Sequence, residues 1–234
     1  KIDIQTMREL SKKTGDEQFQ KKVWEWIGSD VKYSLTGIGI IGGEPTVTPE
    51  FYNFMDRLLT VYNTVNDKTT RHIWIVTNLN TPENYFNKFI KYIEQLSNKF
   101  KIDICVSADT VHKKAEYIRT NLIWDRFENN LHKLLSIKNV NVIISATVSA
   151  LSLPYTLEFL KWHNSLETQY HRTIEITENS VVYPEALSPL ILPSQFAAQV
   201  QHSIEYLEVS NIHTGYIKFL KGIKSGLEEN RPVS

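Results

Sequence analysis

The sequence predicts an α/β fold in which a parallel sheet or barrel carries an outer layer of helices. Five short runs rich in Ile and Val have strand character, at about 35–41, 72–77, 102–107, 140–148 and 173–177. They recur at intervals of roughly 30 to 40 residues, the length of one strand–helix unit. Helical patterns fill the intervals, and most strand runs are near-continuous in apolar character, as expected of parallel strands buried beneath helices. Alternation of this kind argues for parallel strands joined by helical crossovers.

The elements follow in order. Residues 16–28 read as a helix after Gly15, with Phe19, Val23, Trp24 and Ile27 on one face. The strand run 35–41 ends in two glycines. A helix over 49–65 is marked by Thr48 as N-cap, Pro49 at the first helical position and Glu50 in the first turn. Further helices are expected over 82–100, 127–137 and 154–166, the first and last with Pro near the start. The Lys113-Lys114 pair reads as a solvated helix face and His112 as a solvated loop residue. After Glu178 the pattern changes: Pro184, Pro189 and Pro193 mark a surface excursion over 179–192, and two amphipathic helices, about 194–209 and 211–227, close the chain. The expected division is a domain over 1–192 and a helical extension over 193–234.

Composition narrows the function classes. The 234 residues are long enough for one α/β domain with a substantial core. With 26 basic and 26 acidic residues, the chain lacks the electrostatic footprint of a nucleic-acid or anionic-membrane binder. No apolar run reaches the length of a membrane span and no signal peptide is visible, so the expected setting is cytoplasmic. The single cysteine, Cys105, excludes an internal disulfide and any cluster or zinc site built from this chain's thiolates alone.

The polar residues gather at strand ends. In parallel α/β folds the ligand site lies beyond the C-terminal ends of the strands. Here the first run ends in Gly42-Gly43-Glu44-Pro45, the second in Thr77-Asn78, the third in Ser107-Ala108-Asp109 and the fifth in Glu175-Ile176-Thr177-Glu178. Two glycines beside a carboxylate offer bare backbone and a negative charge, which suits an ammonium group; the same residues also suit a plain tight turn. Small polar residues at the other strand ends either begin loops and cap helices or line one shared pocket. Glu175 and Thr177 share a side of their strand, so Glu175 either faces a substrate or pairs with a buried cation. Cys105 reads as a core thiol, and the five tryptophans read mostly as packing residues.

In this order, the motifs resemble the radical S-adenosylmethionine (radical SAM) family, in the branch with SPASM or twitch extensions. Gly42-Gly43-Glu44-Pro45 resembles its Gly-Gly-Glu-Pro motif, Thr77-Asn78-Leu79 its Thr-Asn-Gly strand end, and Ser107-Ala108-Asp109-Thr110 its Ser-Leu-Asp-Gly motif. His112 and Arg119 follow at the family's distance. The 124–135 segment is similar to the Phe-x-x-x-x-x-Asn-Leu stretch, 141–148 to the fifth strand, and 175–193, with Tyr183-Pro184-Glu185, to the entry of a twitch-type extension. The resemblance spans about residues 17–195.

The resemblance implies a partial (β/α)6 TIM-like barrel, here without its first strand, and two cofactors: S-adenosylmethionine and a 4Fe-4S cluster. The Gly42–Pro45 backbone with Glu44 would hold the methionyl ammonium. Ser107 would bond the ribose, with Thr77 and Asn78 nearby. Arg119 would meet the methionyl carboxylate, Asp109 would pair with Arg119 or orient its loop, and Val148 would wall the adenine. One electron from a donor protein, delivered through the cluster, would cleave the cofactor to a 5′-deoxyadenosyl radical that takes hydrogen from a small-molecule or peptide substrate.

The chain departs from the family in lacking the three cluster cysteines and any auxiliary-cluster cysteines, and in carrying Leu79 and Thr110 where glycines are usual. The expectation is that both ends are truncated and that the cysteines lie upstream of Lys1, so that this chain alone is inactive. Two alternatives stand beside it. One is a cluster-less barrel that binds a nucleoside-like or peptide ligand. The other is a non-redox enzyme on a (β/α)8 or doubly wound scaffold whose Gly-Gly loop binds phosphate, a reading that expects a helix N-terminus and a basic group after the glycines.

Overall fold

The computed structural model describes residues 16–65, 70–210 and 213–229. The first fifteen residues of the 1–192 domain and the last five of the extension lie outside the described residues. Five strands form one sheet: β1 (Gly37–Ile40), β2 (Arg71–Thr77), β3 (Phe100–Ser107), β4 (Val140–Val148) and β5 (Glu175–Ser180). Every neighbouring pair is parallel and the spatial order is β1-β2-β3-β4-β5, the order of the sequence. The expected strands are all present; β3 begins two residues earlier, and β5 starts and ends later.

Among the described residues the longer helices are α1 (Asp16–Trp26), α2 (Pro49–Asn63), α3 (Glu83–Leu96), α4 (His112–Ile118), α5 (Trp124–Leu135), α6 (Thr156–Tyr170), α7 (Phe196–Ser210) and α8 (Thr214–Glu228). Pro49 is the first residue of α2 as expected, but Thr48 does not cap with its side chain: its hydroxyl donates to the Pro45 carbonyl at 3.0 Å. The 179–192 excursion begins as the end of β5 and then makes two 3-10 turns, Glu185–Leu187 and Pro189–Ile191.

The unreversed strand order decides which face is covered. Right-handed crossovers between successive neighbours all return on the same side of the sheet. Ile73, Ile75, Ile102, Ile104, Val106, Val142 and Ile144 therefore form one face, buried against Met55, Leu58, Phe86, Phe89, Phe127, Leu131 and Phe159 from the helices. The other face is only partly closed, so β2 and β4 alternate in burial along their length instead of being buried on both sides. His72, Trp74, Asp103, Cys105, Asn141, Ser145, Thr147 and Thr177 occupy that second face. A sequence-ordered sheet also has no switch point of the doubly wound kind, which removes that scaffold from the alternatives.

Candidate functional site

The rim is built around Glu44. Its Oε1 accepts from the Thr46 hydroxyl at 2.5 Å, the Thr46 N–H at 3.3 Å and the Thr77 hydroxyl at 2.8 Å. Its Oε2 accepts from the Asn78 N–H at 2.7 Å. Thr46 and Thr81, both fully buried, bond through their hydroxyls, and Tyr52 donates to the Thr46 carbonyl at 2.6 Å. Burial, with the Glu44 charge second, pushes the Tyr52 phenol up to about 12. The carboxylate thus ties the loop after β1 to the end of β2. Sequence reasoning placed Glu44, Thr77 and Asn78 at one site, and they do meet, but they bond chiefly to one another.

The same loop leaves backbone free. Gly42 and Gly43 have φ of +110° and +53°, a region glycine enters without steric cost, and a Cβ on either would meet nothing within 4 Å. Among the described residues their carbonyls accept no hydrogen bond. Pro45 opens a three-residue 3-10 turn rather than a helix, so the glycines do not lead into a helix N-terminus, and the groups that meet the loop are hydroxyls and N–H groups rather than a cation. The geometry expected of a phosphate loop is not there.

Arg119 and Asp109 form the second part of the rim. The guanidinium reaches both carboxylate oxygens, Nε to Oδ2 at 2.8 Å and Nη2 to Oδ1 at 3.0 Å. Asp109 Oδ1 also accepts from the Thr147 N–H at 2.9 Å, which joins the β3 loop to β4. Asp109 therefore does both things weighed for it: it pairs with Arg119 and it orients the loop. Ser107 lies on the uncovered face in register with Ser145, which is in register with Thr177, making a row of three hydroxyl residues. Val148 faces the opposite way from Thr147 and is buried in the helix-covered core.

Below the rim, a cavity of about 410 Å³ opens on the uncovered face. Gly37 and Gly39 give it a floor without side chains, and Trp74, Asp103, Cys105 and Thr177 line it. Cys105 is buried as expected, but its thiol belongs to this wall and not to the core beneath the helices. Burial pushes the thiol pKa up, partly offset by contacts with Ser145, Trp74 and Thr177. Trp74 is 39% exposed on the cavity side, so it is not a packing residue. Asp103 is 9% exposed; its Oδ2 lies 2.7 Å from His72 Nε2, while its Oδ1 is buried with no partner. Glu175 is exposed on the same face, and among the described residues it forms no ion pair.

Two residues explain the departures from glycine. Leu79 has φ of +51°, the left-handed conformation glycine would supply, while its side chain is fully buried. Its N–H donates to the Thr77 hydroxyl at 3.0 Å and its carbonyl accepts from Asn130 Nδ2 at 2.8 Å. The same amide reaches the Thr81 carbonyl at 2.8 Å. Asn130, on α5, thus braces the loop after β2 from behind; only its place in the Asn-Leu pair of the 124–135 stretch marked it in the sequence. Thr110 is fully buried with its hydroxyl unpartnered. His112, taken as a solvated loop residue, opens α4 with its ring edge-on to Trp124 at 5.1 Å.

Among the described residues no helix is long and apolar enough to cross a membrane. Compared with protein-family models, with curated proteins and with solved structures, the chain matches none.

Proposed function

We propose that this chain is the cofactor- and substrate-binding part of a radical SAM enzyme, with the partial-barrel architecture that its sequence motifs resemble. The observation that carries the reading is the Gly42-Gly43 loop: two exposed glycines held beside a carboxylate at the C-terminal end of a sequence-ordered parallel sheet. Such a loop suits an ammonium group, with the carbonyls accepting its hydrogen bonds and the Glu44 charge adding a favourable field. The Ser107–Ser145–Thr177 row suits a ribose diol one step further along the rim. Arg119 has donors beyond those used by Asp109 for a ligand carboxylate. Thr77 and Asn78 shape the loop through Glu44.

The chemistry that S-adenosylmethionine supplies when bound is one-electron cleavage leading to hydrogen abstraction from a substrate. This chain's residues bind and orient the cofactor and present a substrate in the cavity below it. There Asp103, bonded through Oδ2 to His72, places a carboxylate in the wall. The 4Fe-4S cluster does not fit the residues present: it needs three thiolates, and the sequence has Cys105 alone, mid-strand in the cavity wall. No step through the cluster is assigned to this chain.

The alternative is a ligand- or peptide-binding barrel without the chemistry. It is favoured by one observation: Glu44 and Arg119 are both answered internally, as in a scaffold that needs no charged cofactor. Calorimetric titration separates the two. S-adenosylhomocysteine, which carries the same ammonium, carboxylate, ribose and adenine, is expected to bind one per chain and to weaken at least tenfold in Ser107→Ala. Saturable binding of a peptide, with none of the nucleoside at millimolar concentration, would replace the first reading by the second.

A further inference from the structure

At the opposite end of the sheet from the rim, three side chains converge where nothing in the radical SAM reading calls for them. His163 and Glu167 stand one turn apart on α6, and His213 caps the start of α8. Their side chains are 2%, 11% and 8% exposed. His163 Nε2 is 2.8 Å from the carbonyl of Ile174, the residue before β5. In a neutral ring that nitrogen is the donor, which leaves Nδ1 with its lone pair turned toward Glu167 Oε2 at 3.7 Å. Both are acceptors, and neither satisfies the other.

Glu167 is held in the same way from behind. Its Oε1 accepts from the Ile174 N–H at 2.8 Å, so Oε2 is the oxygen turned to the two imidazoles. His213 Nε2 lies 3.4 Å from Oε2, longer than a charge-assisted hydrogen bond. His213 also holds a left-handed conformation, φ 62° and ψ 43°, which a non-glycine residue adopts at a cost repaid elsewhere. The arrangement is a nearly buried carboxylate with two imidazoles around it, and among the described residues no Lys or Arg pairs with it; such a charge gains from a cation that joins it.

We infer that His163, Glu167 and His213 form a zinc site that clamps the C-terminal helices to the N-terminal end of β5. Three ligand atoms bound at about 2.1 Å in tetrahedral geometry stand about 3.4 Å apart. Here the three lie within 4.8 Å of one another, so small rotations of the rings close the set. Two imidazoles and one carboxylate suit zinc better than calcium or magnesium, which take oxygen ligands, and water completes the fourth position. The outer shell is in place: Ile174 accepts from the His163 ring N–H and donates to the second oxygen of Glu167, fixing tautomer and orientation before a metal arrives. The clamp is independent of any cofactor at the rim.

The test is metal titration of the whole chain after dialysis against a chelator. One equivalent of Zn²⁺ should bind, and Tm should rise on the order of 5–10 °C at a hundredfold excess over Kd. Co²⁺ in its place should give the visible bands of a tetrahedral site. Glu167→Gln and His213→Asn, the latter chosen because asparagine tolerates the left-handed backbone, should each weaken Zn²⁺ at least tenfold, while His202→Ala on the exposed face of α7 should not. If Glu167→Gln fails to fold, His213→Asn decides alone. No stoichiometric binding, or unchanged affinity in the folded variants, overturns the site.

Discussion

Two carboxylates on the ligand side of this sheet are treated in opposite ways. Glu44 at the rim takes four hydrogen bonds from its own chain. Asp103 on the cavity wall gives one oxygen to His72 and buries the other with nothing. A buried acceptor left empty costs about 1–3 kcal/mol. Glu44 therefore works as scaffold, fixing the loop after β1 to the end of β2, whereas Asp103 keeps one oxygen without a partner among the described residues. The charge that looked like the recognition element in the sequence is the one already answered.

The largest expected effect comes from breaking the scaffold side. Glu44→Ala leaves the Thr46 and Thr77 hydroxyls and the Asn78 N–H without their acceptor, and urea unfolding should show a loss of about 3 kcal/mol. Asn130→Ala strips the Leu79 and Thr81 carbonyls of their donor and should cost about 2 kcal/mol in the same measurement. Asp109→Asn weakens a partly exposed bidentate pair and should cost about 1 kcal/mol, with weaker nucleoside binding as Arg119 is freed. Asp103→Asn should lie at the other extreme. Because the charge is incompletely paired in the folded protein, stability should change by less than about 1 kcal/mol while ligand affinity falls. A large stability loss in Asp103→Asn would erase the contrast. The smallest effect is kinetic: with its pKa raised by burial, Cys105 should react slowly with thiol reagents near neutral pH, and more slowly still with a ligand in the cavity.

Much of the fold was legible because strand and helix signals were local. The β4 run Val140–Val148 and the Pro49 start of α2 stand where the sequence put them. What local pattern could not give was which face of the sheet is covered. The near-continuous run Ile73–Val76 hides an alternation that only the unreversed strand order exposes, and Trp74, read as a packing residue, stands on the open face for that reason, while Cys105 is buried as expected. The strand-end residues of the site were found, but their partners were not. Whether Glu44 meets a ligand or Thr77 depends on how two loops thirty residues apart fall together. The His163–Glu167–His213 cluster was invisible for the same cause, since His213 meets α6 across 46 residues of sequence.

The role proposed for the Gly42-Gly43 carbonyls is to receive a ligand ammonium while Glu44 holds them in place. It is tested most directly by titrating S-adenosylhomocysteine calorimetrically into the unmodified chain and into Gly43→Asn. Asparagine tolerates φ near +53° and its Cβ enters open space, so the variant should melt within a few degrees of the original. The account predicts one-to-one binding to the unmodified chain and a loss of at least tenfold in the variant. Equal binding to both, or binding to neither, contradicts it.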